Sequence, residues 1–271
     1  MIGARKYVAL GLVLLTALIW GVPTAGADEA STIIERCTHG ESLVGFSAAA
    51  YTKALAELPA TVKEYTNCEG LIRAAAPPAP ILGRTETLQL LSGTVRVRLK
   101  GTNRFVDLSA FAALPDGSEV DATNGRVSIT SATPTNETQS AEASGGRFVV
   151  HQEHTGTGQT SLTLSQALTG CGQVLRRRRH ARSARLAGTS HAVRRTQGPK
   201  SRHIWVSDSG GNWRTNGRYV STTVEGTRWF VLDECRSSLV VVEEGIVKVR
   251  DLVRRRTKTV AAGHVYVAAP R

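Results

Sequence analysis

VEGTRWFVLDECRSSLVVVEEGIVKVR, residues 224–250, decides the fold class. Short valine-rich runs, Thr227 to Leu232, Leu239 to Val242 and Ile246 to Arg250, are separated by glycine or polar turns. The runs are too short for helices and rich in residues that suit a pleated, half-buried surface. The same grammar extends outward. Ile204 to Val206, Arg218 to Val224 and His264 to Ala268 are further strands, punctuated by Gly211, Gly217, Gly226, Gly245 and Gly263. Many short strands with glycine turns predict a sandwich or small barrel.

Period two also governs the middle of the chain. In Val95-Arg96-Val97-Arg98-Leu99, apolar and basic residues alternate, which buries one face and solvates the other. Phe105 to Leu108 is a short strand, and Leu114-Pro115-Asp116-Gly117 a turn before Val120. Asn124-Gly125 is the signature of a tight hairpin leading into Val127 and Ile129. Phe148 to Val150 and Leu162 to Leu164 continue the sheet.

The segment before the sheet differs. Residues 28–76 read as a small helical unit: Ser47 caps a helix carrying Ala48 to Leu58, and Pro59 ends it. A second helix runs from Ala60 to Ala75, with Val62, Tyr65, Leu71 and Ile72 as its apolar side. Residues 77–87 open with Pro77-Pro78-Ala79-Pro80, a stiff linker, and the β domain spans 88–271. The expected architecture is mainly β, a sandwich or barrel preceded by a small disulfide-linked helical unit.

The amino terminus reads as a secretory signal over residues 1–27. Arg5 and Lys6 precede an apolar run from Tyr7 to Trp20, and Ala25-Gly26-Ala27 offers a cleavage site before Asp28. As a helix, that run would rise about 21 Å against roughly 30 Å of bilayer hydrocarbon, so no stable span is expected after cleavage. Export suits the four cysteines, Cys37, Cys68, Cys171 and Cys235. Of three pairings, Cys37–Cys68 and Cys171–Cys235 keeps each bond within its own module. Chain entropy gives about 3.6 and 4.3 kcal/mol for the two loops as upper figures.

Charge is segregated. The formal net charge is +12. Arg176, Arg177, Arg178, Arg179, Arg182, Arg185, Arg194, Arg195, Lys200 and Arg202 lie in one stretch with no Asp or Glu between Gly172 and Ser207. The run repels itself and lacks apolar periodicity, so residues 172–203 are expected to form a disordered basic insertion. Arginine binds phosphate and carboxylate through paired hydrogen bonds, which makes this stretch a candidate contact for an envelope polyanion, either a wall polymer or lipid headgroups. Specific nucleic-acid binding is not expected, because no groove-reading or base-stacking motif accompanies the charge. Trp205, Trp213, Tyr219 and Trp229 read as core and turn packing.

No catalytic residues, cofactor or metal are expected. There is no G-x-S-x-G elbow, no phosphate-binding glycine loop and no C-x-x-C clamp. His151, Glu153 and His154 form the one His/carboxylate cluster; on a strand only His151 and Glu153 share a face, too few ligands for a defined metal site. Asp233-Glu234 and Glu243-Glu244 are adjacent pairs that point to opposite faces.

The stretches Val224 to Val231, Val240 to Val249 and Val260-Ala261-Ala262-Gly263-His264 resemble the FecR-type domain family, with its V-x-G-T-x-[FW]-x-V strand, E-G-x-V-x-V hairpin and closing A-G turn. Ser92 to Val97, Val106 to Leu108, Leu114 to Val120 and Gly125 to Val127 are similar to its opening half. The matching positions are Val224, Gly226, Thr227, Trp229, Glu244, Gly245, Val247, Val249 and Gly263, and each has a packing reading. Family members include envelope sensors that act on a cytoplasmic sigma factor. Six residues before the apolar run leave no room for that cytoplasmic segment, so the resemblance implies an exported, non-enzymatic binding or sensing module of the cell envelope. An alternative is a structural protein that docks another envelope protein through its helical unit; a hydrolase on a β scaffold would need an acid–base set that the sequence does not bring together.

Overall fold

The computed structural model describes residues 25–171, 198–208, 210–224 and 226–270. The expected signal and the arginines from Arg176 to Arg195 lie outside the described residues or their side chains. The chain divides into two compact units at Ala76/Pro77.

The first unit holds α1 (Ala25–Thr38), α2 (Ala48–Ala56), α3 (Ala60–Tyr65) and α4 (Cys68–Ala75). Ser47 caps α2, its hydroxyl accepting from the Ala50 N–H at 3.2 Å and donating to Glu29 at 2.7 Å. The expected second helix is broken. Thr66 is extended, and its hydroxyl accepts the Cys68 N–H at 3.2 Å, a local bond that competes with helix and restarts the chain as α4. The apolar side also differs from expectation: Ile72 is buried, but Tyr65 is 83% exposed and Leu71 49%. Ile33, Tyr51, Ala54 and Ile72 form a core too small to stand on burial alone, and the Cys37–Cys68 disulfide ties the end of α1 to the start of α4.

The second unit is mainly β. In chain order it contains β1 (Thr85–Arg98), β2 (Val106–Asp107), β3 (Phe111–Pro115), β4 (Glu119–Ala132), β5 (Thr138–Ser144), β6 (Arg147–Gln152), β7 (Thr160–Leu164), β8 (Ser201–Asp208), β9 (Trp213–Asn216), β10 (Val220–Val224), β11 (Arg228–Glu234), β12 (Ser238–Glu244), β13 (Ile246–Asp251), β14 (Arg256–Ala261) and β15 (Val265–Ala268). β1 begins at Thr85, so the linker is shorter than expected, and β8 begins at Ser201, so the basic insertion ends before Arg202.

Asn124-Gly125 makes no hairpin. It lies inside β4, directly opposite Gly93 of β1. A Cβ on Gly125 would stand 2.7 Å from the Thr94 carbonyl oxygen and 2.8 Å from that of Ser92. Two glycines let these long strands bend together at close approach. β5 and β6 follow the same bend, running antiparallel to β4 on either side of Gly145-Gly146. From this bent wall two arms diverge: β5-β8-β11-β12-β15 in front and β6-β7-β9-β10-β13-β14 behind. Val127, Phe148, Leu162, Ile204, Trp213, Trp229, Val231, Val240, Val247 and Val249 belong to one core between them. The sheet is nearly closed and barrel-like.

Glu244-Gly245 is a corner, where the expected hairpin would pair β12 with β13. Instead β12 pairs with β11 and β15, and β13 with β10 and β14, so the chain crosses between arms there. Gly245 has φ +73°, and a Cβ would meet the Thr227 methyl at 2.6 Å. Val224, Trp229, Val247 and Val249 are buried, and Gly226 and Gly263 occupy turns with positive φ.

Candidate functional site

Buried carboxylates organise the loops of the β unit. Asp208 accepts the N–H groups of Gly226 and Thr227 at 2.9 and 2.7 Å. Asp233 accepts the Arg218 N–H at 2.8 Å and the Ser238 hydroxyl at 2.5 Å. It also holds the Arg202 guanidinium at 3.0 Å, while Arg202 donates to the Gln166 carbonyl at 3.0 Å. Arg202 is therefore a strut on β8 and is not free to hold a polyanion. Lys200 is exposed next to the second disulfide, Cys171–Cys235, which fastens the segment after β7 to the β11–β12 turn.

His151, Glu153 and His154 do not come together. His151 Nδ1 lies 2.9 Å from Asp116, whereas Glu153 faces Arg214 at 3.8 Å and His154 packs beside Gly83. Among the described residues, no group of three His, Cys, Asp or Glu side chains is arranged to hold a metal. Glu86 is fully buried on β1, and among the described residues neither carboxyl oxygen has a hydrogen-bond partner. Burial, with the nearby Asp116 charge, pushes its carboxyl up to about 8, so it is mostly protonated at neutral pH.

Three arginines surround the ring of Phe105. Arg96, Arg98 and Arg147 stand 5.7, 5.2 and 5.0 Å from its centroid. All are paired from below: Asp121 holds both Arg96 at 2.8 Å and Arg147 at 3.0 Å, and Glu119 holds Arg98. Burial would raise the Asp121 carboxyl, but hydrogen bonds from Thr123, Arg147 and Arg96 outweigh it and hold the group below the usual carboxylate range. A groove of about 320 Å³ runs alongside, lined by Arg98, Lys100, Asn103 and Glu119 among others.

An apolar row crosses the outward face of the front arm. Trp205 packs on Phe230 at 4.7 Å between ring centroids, with His203 5.4 Å from Phe230 on the other side. Trp205 thus belongs to a surface row, unlike Trp213 and Trp229, which are fully buried. In register the row continues through Val241 of β12 to Val265 of β15, which is exposed.

The back arm ends in a different surface. β13 and β14 form a two-stranded ribbon, Arg250 pairing with Thr257 and Asp251 with Arg256. Between Lys248 and Lys258 six of eleven residues are basic: Lys248, Arg250, Arg254, Arg255, Arg256 and Lys258. Only Arg254 has a carboxylate partner among the described residues, Asp251 at 2.8 Å. Burial would raise the Asp251 carboxyl. Hydrogen bonds from the Arg254 backbone and guanidinium, the Tyr266 hydroxyl and the Val253 N–H prevail and bring it down to about 2.

The ribbon tip sits at the end of the unit where the second disulfide lies. Leu252 N–H donates to the Tyr219 carbonyl at 3.0 Å, and the Tyr219 hydroxyl reaches the Cys235 carbonyl at 3.5 Å. The chain enters the arginine-rich insertion at Cys171 and leaves it near Gly198, where Gly170 N–H donates to the Pro199 carbonyl at 3.2 Å. Both ends of the insertion are therefore fixed at this end. Sequence reading missed the ribbon because its cations are shared between two strands that read as ordinary alternation. The run Arg254-Arg255-Arg256 was the available signal. No family model, curated protein or solved structure matches this chain.

Proposed function

We propose that this chain is an exported, non-enzymatic binding module of the cell envelope, holding an anionic partner at the cationic end of its β unit. One observation carries the reading: Lys248, Arg250, Arg255, Arg256 and Lys258 stand on the ribbon without carboxylate partners among the described residues. They lie at the end where the disulfide anchors an insertion carrying eight more arginines. Clustered exposed cations raise association rate and affinity for anions, and salt weakens that attraction. Two formed disulfides and an apolar, signal-like amino terminus support export. The FecR-type likeness supports the same class of function. Among the described residues no helix is long and apolar enough to cross a membrane.

The test is retention of the full chain on phosphocellulose at neutral pH as salt rises. The reading expects tight retention at low salt and steep release as the screening length falls from about 10 Å at 0.1 M toward 3 Å at 1 M. Flow-through at low salt would refute it. A second reading, docking of another envelope protein, is favoured by the partly exposed Trp205–Phe230–Val241–Val265 row, since contiguous apolar surface marks interaction sites. Cross-linking to a partner that is lost in Trp205→Ala and Val265→Lys would support it.

A further inference from the structure

The ribbon carries more than charge. Its tip is apolar: Leu252 is 45% exposed and Val253 37%, with Arg254, Arg255 and Arg256 next in the chain. The tip is also held in shape. Asp251 accepts the N–H groups of Val253 and Arg254 at 2.9 and 2.7 Å, and takes the Tyr266 hydroxyl at 2.7 Å. Arg255 turns the chain with φ +54°. A preformed tip needs little ordering when it binds.

We propose that this tip docks on the surface of an anionic lipid bilayer, with Leu252 and Val253 entering the headgroup–acyl boundary and Arg250, Arg255, Arg256 and Lys258 contacting the phosphates. The proposal rests on the polyanion reading above and names the partner. An apolar tip backed by cations on both faces of the ribbon, Arg250 on one and Arg256 and Lys258 on the other, matches an interface that offers hydrocarbon beneath fixed negative charge. A soluble polyphosphate or sugar-phosphate chain offers the charge alone and leaves both apolar side chains in water. A nucleic acid would call for stacking rings, and residues 246–261 contain no aromatic. Asp251, the one carboxylate on the ribbon, is buried and already engaged with Arg254 and Tyr266, so it does not oppose an anionic surface.

Tryptic cleavage after Arg255 and Arg256 in the full chain reads the contact at its own position. The protein is incubated with vesicles of phosphatidylcholine alone or of phosphatidylcholine mixed with phosphatidylglycerol. The expected result is slowing by about tenfold or more with the mixed vesicles and no change with the neutral ones. In Leu252→Asp/Val253→Asp the vesicle protection disappears while retention on phosphocellulose remains. Val253→Phe, which adds apolar surface to an exposed position, strengthens the protection and covers the chance that the acidic pair disturbs the turn. Equal vesicle protection of the acidic variant and the wild type would overturn tip docking and leave the polyanion reading standing. Loss of both phosphocellulose retention and vesicle protection in the wild type would instead remove the polyanion reading, and this proposal with it.

Discussion

Two arginine clusters in the β unit use the same side chain for opposite ends. Around Phe105, Arg96, Arg98 and Arg147 are held by two buried carboxylates on β4, Asp121 taking two of them. On the β13–β14 ribbon, Arg250, Arg255 and Arg256 have no such match among the described residues. The difference lies in where acids fall in the strands. Glu119 and Asp121 sit opposite Arg98 and Arg96 in the β1–β4 register, whereas Arg250 sits opposite Thr257. Matched arginines hold the wall together; unmatched ones are, in the proposed function, the ones that meet an anionic partner. Arginine count alone does not separate a strut from a binding surface.

The largest loss of stability is expected at the matched cluster. Asp121→Ala leaves Arg96 and Arg147 unpaired over a buried site and should cost about 3 kcal/mol in urea unfolding at pH 7. Because the folded carboxyl is held low, the stability it contributes is present above its unfolded value and is lost as pH falls through its folded one. The variant should therefore fall away less steeply in acid. Phosphocellulose retention should stay unchanged.

Glu86 sharpens the comparison as a carboxyl with no cation partner among the described residues. Its folded value near 8 exceeds the ordinary 4.5, so its folded form favours the proton. Stability should be full below about pH 4.5 and decline as pH rises toward 8. Glu86→Gln should remove that decline, gaining nothing at pH 4, on the order of 2 kcal/mol by pH 6 and more at pH 8. A variant no more stable than wild type at pH 8 would show that Glu86 is better solvated than its burial implies.

At the ribbon the effect on stability should be smallest. Arg255→Glu/Arg256→Glu is expected to shift unfolding by no more than about 0.5 kcal/mol, because both are exposed and have no carboxylate partner among the described residues. A loss of several kcal/mol would place these residues with the struts.

Strands at Val95–Leu99, Thr227–Leu232 and Leu239–Val242 were legible because alternation and β-branched residues report a half-buried pleat directly. Bends and corners were not. Asn124-Gly125 carries the residues of a tight turn, yet Gly93 from a distant part of the chain supplies the close approach that keeps it extended. Glu244-Gly245 reads as a hairpin because local sequence does not say whether the next strand pairs with the last or crosses to the other arm. The break at Thr66 was hidden in the same way, since a helical run and a hydroxyl cap coexist in one stretch. For the candidate site, the insertion was visible as composition, but Arg202 was grouped with it because Asp233 is thirty-one residues away in sequence. The ribbon emerged only when β14 folded back on β13.

The most direct test is elution from phosphocellulose for two variants of the full chain, Arg250→Glu/Arg255→Glu/Arg256→Glu and Arg96→Ala/Arg98→Ala. The ribbon variant should elute at much lower salt than wild type while unfolding at the same urea concentration. The Phe105-cluster variant should do the reverse, eluting near wild type but unfolding earlier. A ribbon variant that elutes with wild type would contradict the assignment of binding to the unmatched arginines.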